Sequence, residues 1–378
     1  MSSIPFIDLQ AQRKRLGPSL MQAVEKAVEG GQWVMGPQVR ELEAKLAEFA
    51  GVKHALACAN GTDALMIVLR AWDVGPGDAV FVPAFTFAAS AEVVALVGAE
   101  PVFVDVLEDT YNMDPKSLEA AIAMAKRDGR LKPRVVMPVD LFGQPADYAA
   151  LEPVIKREKL LMLCDTAQGF GGLWRAKRTG SLGDAAATSF FPAKPLGCYG
   201  DGGATFTNDD GLIQLLRSIH VHGQGADKYE NVRIGVNSRL DTIQAAILLE
   251  KLKLFPEEIE MREAVAQRYS KALGQSNSIR VPRVIDGALS TWAQYTIQVP
   301  DRDTLAADLK AKGIPTAIYY PIPMTAQKGY AHYPAVPVPV STDIGKKVIS
   351  LPMHPYLDEK TQDQIIAAVL ESVGRAAA

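Results

Sequence analysis

Short apolar segments alternate with helical patterns between residues 54 and 207, and this alternation constrains the fold more than any other feature. The apolar segments are 54–59, 79–83, 101–106, 134–139, 159–165, 185–190 and 204–207. Most are continuously apolar rather than alternating, which is typical of strands in a parallel sheet that is covered on both faces. We therefore expect an α/β fold with a mostly parallel central sheet between layers of helices.

The pattern changes in the last third of the chain, where the segment 292–299 alternates apolar and polar residues with period two. At 378 residues the chain is long enough for two domains. We predict a large domain over residues 1–253, including an N-terminal helical segment, and a smaller α+β domain over residues 254–378. Two helices are predicted here, over 242–253 and about 256–274, and the second is predicted to connect the domains.

Charge and composition exclude several classes of protein. The formal net charge is −3 and no basic stripe is present, so nucleic acid is not an expected partner. No apolar run approaches the roughly 18 residues of a membrane span, and no signal peptide is evident at the N-terminus. The three cysteines lack metal or disulfide spacing, which indicates a reducing compartment. We expect a cytoplasmic protein without a catalytic metal.

The segment around Lys194 indicates the chemistry. Lys194 lies between Pro192 and Pro195, and because proline restricts the backbone, we expect a stiff loop. Asp165 ends the predicted strand 159–165. A fixed lysine and an aspartate at a strand end suit pyridoxal phosphate, where the lysine forms a Schiff base and the aspartate keeps the ring nitrogen protonated. Taken alone, a lysine in a glycine- and proline-rich loop is more typical of a solvated surface residue, and Asp165 is equally compatible with a helix cap.

A possible anion site lies at residues 60–63, where a strand is followed by a glycine and then by a helical pattern. Free backbone N–H groups at the start of a helix attract phosphate. The alternative is an ordinary helix cap by Thr62 or Asp63, and the local sequence favours that alternative.

Five motifs in order resemble those of a known family. They are NGTDAL (60–65), PAFTF (83–87), DTAQ (165–168), SFFPAK (189–194) and GVNSRLD (235–241). In combination they resemble the nucleotide-sugar aminotransferases of the StrS/DegT type, and the similarity extends from residue 6 to residue 356. The resemblance implies the fold type I architecture of pyridoxal-phosphate enzymes, which is also that of aspartate aminotransferase.

The resemblance implies a role for each motif residue. Lys194 would carry the cofactor as an internal aldimine and transfer the proton, and Asp165 would face the ring nitrogen. Gln168 would approach the ring oxygen, and Phe87 would stack on the ring. The phosphate would be held by Gly61, Thr62, Asp63, Ser189 and, from a neighbouring subunit, Asn237, which implies a homodimer with shared sites.

Two further residues are implied at the substrate. Tyr320 and Arg239 would contact it, although an ion pair with Asp241 is an equally good interpretation of Arg239. The sequence departs from the family at Asp140 and Thr325, where histidine is common in relatives. Both positions lie near the sugar pocket in the family, so these departures leave the substrate open.

The function implied is transamination of a keto-sugar nucleotide, with L-glutamate as donor and pyridoxamine phosphate as the intermediate form of the cofactor. The similarity is greatest to enzymes that aminate C3 of UDP-2-acetamido-2-deoxy-3-oxo-glucuronate, which implies a role in cell-surface polysaccharide or O-antigen synthesis. Amination at C4 of a 4-keto-6-deoxy sugar is the alternative. Two rivals from other classes are a Schiff-base lyase or aldolase that uses Lys194 without cofactor, and a non-catalytic regulatory module that retains the fold.

Overall fold

The computed structural model describes residues 4–227 and 229–376. The helices are α1 (Leu9–Leu16), α2 (Pro18–Glu29), α3 (Pro37–Ala50), α4 (Gly61–Ala71), α5 (Ala89–Leu96), α6 (Pro115–Asp128), α7 (Tyr148–Glu158), α8 (Asp210–Ile219), α9 (Thr242–Leu273), α10 (Arg302–Ala311), α11 (Pro339–Lys347) and α12 (Glu359–Ala376). The strands are β1 (His54–Cys58), β2 (Asp78–Pro83), β3 (Glu100–Val104), β4 (Lys132–Val136), β5 (Leu161–Asp165), β6 (Leu173–Trp174), β7 (Lys177–Arg178), β8 (Ala185–Ser189), β9 (Gly203–Thr207), β10 (Ala288–Leu289), β11 (Tyr295–Gln298) and β12 (Val348–Leu351).

A seven-stranded central sheet in the order β1-β9-β8-β5-β4-β2-β3 forms the centre of the molecule. Only β9 runs against its neighbours, so the predicted mostly parallel sheet is confirmed. Successive residues of β2 belong to different apolar clusters, because Phe81 packs on one face of the sheet and Val80 on the other. This burial on both faces explains why the strand segments are continuously apolar.

The carboxyl ends of the six parallel strands meet at one edge of the sheet. Asp165 ends β5 and Ser189 ends the neighbouring strand β8. The loop that carries Lys194 follows β8 and returns to β9. Ligands of sheets like this one bind beyond the carboxyl ends of the strands, so the topology brings the predicted site residues to the expected edge.

Helix α9 is a single helix of 32 residues, so the prediction of two separate helices over this segment is wrong. Pro256 lies inside α9 and removes one backbone hydrogen bond. Buried Phe255 and Ile259 flank Pro256 and pack in the same apolar cluster. Because each such side chain contributes about 1.5–3 kcal/mol when buried, packing outweighs the local cost of the proline. The predicted domain boundary at residue 253 therefore falls within a continuous helix.

A second apolar cluster lies in the C-terminal part of the chain. There β11 pairs antiparallel with β12, and the second half of α9, α10 and α12 pack with them around Tyr269, Ile297 and Val369. Residues 324–338, by contrast, return to the central sheet, where Met324 N–H donates to the Ala84 carbonyl at 2.8 Å. The division into domains 1–253 and 254–378 stays a prediction. In the part of the chain that the structure describes, no helix is long and apolar enough to span a membrane.

Candidate active site

A cavity of about 440 Å³ opens at the carboxyl edge of the central sheet. Its walls come from loops that follow β1, β2, β5 and β8, and from the segment before α11. Eight of the residues predicted from sequence line it: Gly61, Thr62, Phe87, Asp165, Gln168, Ser189, Lys194 and Tyr320. The fold thus brings together residues that are up to 259 positions apart in the chain.

Asp165 lies buried at the base of the cavity, and both carboxylate oxygens accept hydrogen bonds. Ser90 Oγ donates to Oδ2 at 2.8 Å, and the Ala167 backbone N–H donates to Oδ1 at 3.1 Å. Burial raises the pKa of Asp165, while these two hydrogen bonds and the nearby Lys194 act in the opposite direction. The carboxylate is therefore held in one orientation, poised to pair with a cationic group in the cavity.

Lys194 lies on the loop between β8 and β9, where its backbone N–H donates to the Phe191 carbonyl at 2.8 Å. Burial lowers the pKa of the Lys194 ammonium, and attraction to Asp165 partly opposes this shift. A lowered pKa increases the fraction of neutral amine, which is the nucleophilic form. Among the described residues, none forms a hydrogen bond or salt bridge with Lys194 Nζ, so its lone pair is available to a ligand.

Gln168 presents a hydrogen-bond donor to the cavity because a backbone N–H of the protein fixes the orientation of its side-chain amide. The Phe142 backbone N–H donates to Gln168 Oε1 at 2.7 Å, which requires the carbonyl end to face the protein. Gln168 Nε2 consequently points the other way and donates to the Tyr320 hydroxyl at 3.2 Å. This geometry suits a ligand oxygen that accepts a hydrogen bond.

The first turn of α4 forms an anion cradle. Asn60 caps this helix, since its Oδ1 accepts from the Asp63 N–H at 2.8 Å, so the expected cap by Thr62 or Asp63 is wrong. The backbone N–H groups of Gly61 and Thr62 have no partner among the described residues. A Cβ added at Gly61 would lie 2.6 Å from Ser189 Cβ, so only glycine lets β8 approach this turn. These groups fit a phosphate.

Phe87 provides a flat apolar surface, because 56% of its side chain is exposed although most large apolar residues are buried. Its ring centroid lies 6.3 Å from that of Tyr320, which itself packs edge-on against buried Phe85 at 6.0 Å. An exposed aromatic face beside Asp165 and Lys194 is suited to stacking on a heteroaromatic ring.

Three predicted binding residues lie outside the cavity. Asp63 belongs to α4 but does not line the cavity, and Asn237 is exposed at the surface of the single chain. Arg239 is half-buried and also lies outside the cavity wall. Among the described residues Arg239 forms no salt bridge, so the ion pair with Asp241 considered from sequence is not formed. The binding roles of these three residues stay predictions.

The structure also places the two positions that depart from the family. Asp140 is fully buried and does not line the cavity, although the preceding residue, Val139, does. Its Oδ1 accepts from the Ala146 N–H at 2.9 Å and from the Tyr148 hydroxyl at 2.7 Å. Thr325 is half-buried in a short 3₁₀ turn and does not line the cavity either.

Sequence reasoning missed several residues of the site, of which Asn60, Ser90, Gln294 and Tyr319 are the most relevant. Asn60 was part of a recognised motif, and its position before a helix was a usable signal for a cap. Ser90 had only a weak signal, because a serine in a small-residue helix seldom indicates function. Gln294 and Tyr319 come from the C-terminal part of the chain, and no local pattern connects them to Lys194.

The sequence profile described as the DegT/DnrJ/EryC1/StrS aminotransferase family matches residues 14–370 of this chain. Among curated proteins, the chain is similar to a UDP-2-acetamido-2-deoxy-3-oxo-D-glucuronate aminotransferase from Pseudomonas aeruginosa. The two are 47% identical over 366 residues, which cover 97% of this chain and 99% of the relative.

Solved structures agree with these matches. A DegT/DnrJ/EryC1/StrS aminotransferase from Brucella abortus superposes with a TM-score of 0.96 at 52% identity, covering 98% of this chain and all of that one. NtdA from Bacillus subtilis, solved with its bound cofactor PMP, superposes with a TM-score of 0.88 at 27% identity. That alignment covers 99% of this chain and 86% of NtdA.

Proposed function

The chain belongs to the DegT/DnrJ/EryC1/StrS aminotransferase family, and on that premise we propose that it transfers an amino group from L-glutamate to a keto-sugar nucleotide. The observation that carries the proposal is the composition of one cavity: an amine with a lowered pKa, an oriented carboxylate and a phosphate cradle surround one exposed aromatic face. These are the groups that bind pyridoxal phosphate.

The residues of the cavity define where each part of the cofactor would bind. The phosphate would lie at the N–H groups of Gly61 and Thr62, beside Ser189 and at the start of α4. The ring would lie against Phe87. Its nitrogen would face Asp165, and Gln168 Nε2 would donate to its hydroxyl oxygen. Lys194 Nζ would then be the amine that attacks the aldehyde.

Pyridoxal phosphate supplies an electron-accepting ring and a carbon that carries the amino group between substrates. The chain supplies the charge and the proton transfers. Asp165 would hold a negative charge beside the ring nitrogen and so favour its protonated form. Lys194 Nζ would be the base that moves the proton. The covalent aldimine at Lys194 and the pyridoxamine phosphate form are part of this proposal.

Borohydride reduction tests the assignment of the lysine. Reduction of the cofactor-loaded protein, followed by peptide mapping, should place the pyridoxyl group on Lys194, and Lys194→Ala should retain none. A label on a different lysine would overturn the assignment. An absorbance band near 400 nm, approximate for pyridoxal chemistry in general, would also exclude a cofactor-independent lyase or aldolase.

We propose UDP-2-acetamido-2-deoxy-3-oxo-glucuronate, aminated at C3, as the acceptor, and polysaccharide or O-antigen synthesis as the pathway. The support is 47% identity, over nearly the whole of both chains, to the Pseudomonas aeruginosa aminotransferase with that substrate in its name. Amination at C4 of a 4-keto-6-deoxy sugar is the alternative. Conversion to the amine form with glutamate, followed by mass spectrometry with both kinds of acceptor, separates the two. A regulatory module would show no reaction with glutamate.

We also propose a cytoplasmic homodimer whose sites are shared between the two chains. Asn237 is exposed, and the preceding loop carries Val232 and Ile234, the latter with 79% of its side chain exposed. An exposed polar residue close to two exposed apolar side chains fits a contact with a second copy. Mixed Lys194→Ala and Asn237→Ala subunits should then recover a fraction of the activity. A monomer in light scattering, with no recovery in the mixture, would refute shared sites.

A further inference from the structure

Helix α9 contacts the Lys194 loop through two residues that do not line the cavity. Gln244 brackets the backbone of Tyr199: the Tyr199 N–H donates to Gln244 Oε1 at 2.8 Å, and Gln244 Nε2 donates to the Tyr199 carbonyl at 3.3 Å. Two helical turns further on, Lys251 Nζ donates to the carbonyl of Gly197. Both contacts are made by the same helix face, and both end on the backbone of the loop.

Lys251 is unusual because only 1% of the residue is exposed, yet it forms no salt bridge with any described residue. Besides the Gly197 carbonyl, its ammonium faces the Tyr199 ring, with Nζ 4.5 Å from the ring centroid. Burial lowers the pKa of Lys251 to about 8, and the nearby Glu258 and Cys198 act in the opposite direction. Burying an ammonium costs free energy that an apolar side chain of the same length would avoid.

The loop itself is tightly folded at the point where Lys251 binds. A Cβ at Gly197 would lie 2.5 Å from the Pro192 carbonyl oxygen, so residue 197 passes directly beneath the proline that precedes Lys194 by two positions. The Cys198 N–H donates to the Phe190 carbonyl at 2.7 Å and closes the same turn. A contact that fixes Gly197 therefore also restrains the backbone on both sides of Lys194.

We propose that Lys251 and Gln244 are positioning residues that fix the loop 191–200 and thereby hold Lys194 Nζ opposite Asp165. The contribution to catalysis rests on the proposed role of Lys194. The clamp itself, defined here as the contacts of Gln244 and Lys251 with the loop, does not depend on that role and can be measured without activity.

Cys198 provides a reporter for the clamp. It lies within the loop, its side chain is fully buried, and its Sγ is 3.1 Å from the carbonyl oxygens of both Phe190 and Gly200, either of which can accept its single S–H. Cys58 and Cys164 are also buried free thiols but belong to β1 and β5 of the central sheet. Loosening of the loop should expose Cys198 alone, whereas general unfolding should expose all three.

The first experiment measures iodoacetamide labelling of each cysteine by peptide mass spectrometry in the full-length protein. Lys251→Met should increase labelling of Cys198 by roughly tenfold or more, because a charged hydrogen bond to the loop is lost. Lys253→Met is the matched control, since Lys253 is exposed on the same helix and pairs with Glu250. It should leave all three rates unchanged.

The second experiment measures how fast the cofactor-free protein takes up pyridoxal phosphate as a function of pH. The rate follows the neutral fraction of Lys194, so its midpoint should move upward in Lys251→Met as Lys194 gains contact with water. If Lys251→Met does not fold, the same two measurements are made on Gln244→Leu, and they test the proposal in its place. Unchanged Cys198 labelling, equal exposure of all three cysteines or an unmoved pH midpoint would overturn the proposal. If the borohydride test fails, the proposed function is wrong, and the Cys198 labelling alone then decides whether the clamp exists.

Discussion

Asp140 should make the protein less stable as the pH rises, and replacing it by asparagine should remove that effect. The carboxyl group is fully buried on the opposite face of the sheet from the cavity, and among the described residues no cation pairs with it. Its Oδ1 accepts two hydrogen bonds, but no residue that the structure describes pairs with the buried Oδ2. Burial raises the pKa of Asp140 from its ordinary 3.8 to about 7, although the Tyr148 and Ala146 hydrogen bonds oppose the shift.

The magnitude follows from the size of this shift. Between pH 3.8 and about 7 the folded protein binds a proton at Asp140 that the unfolded chain has lost, so stability falls as the pH rises. A shift of roughly three units at 1.36 kcal/mol each gives a total loss of about 4 kcal/mol. About 2.5 kcal/mol of it is lost between roughly pH 5 and pH 8, and above that range the loss is constant.

Asp140→Asn is neutral at every pH and keeps the Oδ1 acceptor, so its stability should gain about 2.5 kcal/mol relative to wild type between roughly pH 5 and pH 8. For 378 residues the unfolding entropy is about 0.8 kcal/mol/K, so the difference in Tm between variant and wild type should change by about 3 °C. Scanning calorimetry of the cofactor-free proteins at one protein concentration measures it.

Asp73→Asn is the control for this measurement, because Asp73 is exposed and its φ of 54° is one that asparagine tolerates. It removes the same formal charge from the surface and should show the same pH dependence as wild type. An Asp140→Asn variant whose Tm difference from wild type is equal at both pH values would refute the reasoning. That result would mean that Asp140 is ionised throughout, with a partner for Oδ2.

Three further changes test the cavity. Asp165→Asn should keep the fold, but the rate of the half-reaction with glutamate, measured by absorbance, should fall at least about 100-fold. The reason is that the negative charge proposed to lie beside the ring nitrogen is lost. A rate near that of wild type would assign this role to another residue. Ser90→Ala removes a hydrogen bond to the Asp165 carboxylate, so we expect a loss of about tenfold in the same half-reaction, with thermal stability as the control. Gly61→Ala places a Cβ 2.6 Å from that of Ser189 and should weaken cofactor binding in fluorescence titration, with undiminished affinity as the contrary outcome.

Much of the fold could be predicted because it depends on local patterns. Continuously apolar strands separated by helices predict a covered parallel sheet, and the structure confirms it. The same argument brings Asp165 and Lys194 to one edge, since both follow parallel strands. The break predicted near Pro256 was wrong because the packing of Phe255 and Ile259, which comes from distant parts of the chain, overrides the local preference of proline.

The position of Asp140 shows what the sequence lacked. Val139 pairs with Asp165 across neighbouring parallel strands, and residues paired in this way share a face of the sheet. Both line the cavity, so the next residue, Asp140, must point to the opposite face. The sequence shows that side chains alternate between the two faces of a strand. It does not show which residue of one strand pairs with which residue of another strand 26 positions away. A shift of one residue in this pairing would have placed Asp140 in the cavity and Val139 on the opposite face.

Asp165 and Lys194 are each held by a helix that is remote from them in sequence. Ser90 of α5 orients Asp165, while Lys251 and Gln244 of α9 hold the Lys194 loop. Because the two supports belong to different helices and share no residue, their structural effects should be separable. A change in α9 should increase the reactivity of Cys198 while the hydrogen bond from Ser90 to Asp165 stays in place, and Ser90→Ala should leave the reactivity of Cys198 unchanged. Coupling between the two changes in a double mutant would then report the electrostatic attraction between Lys194 and Asp165.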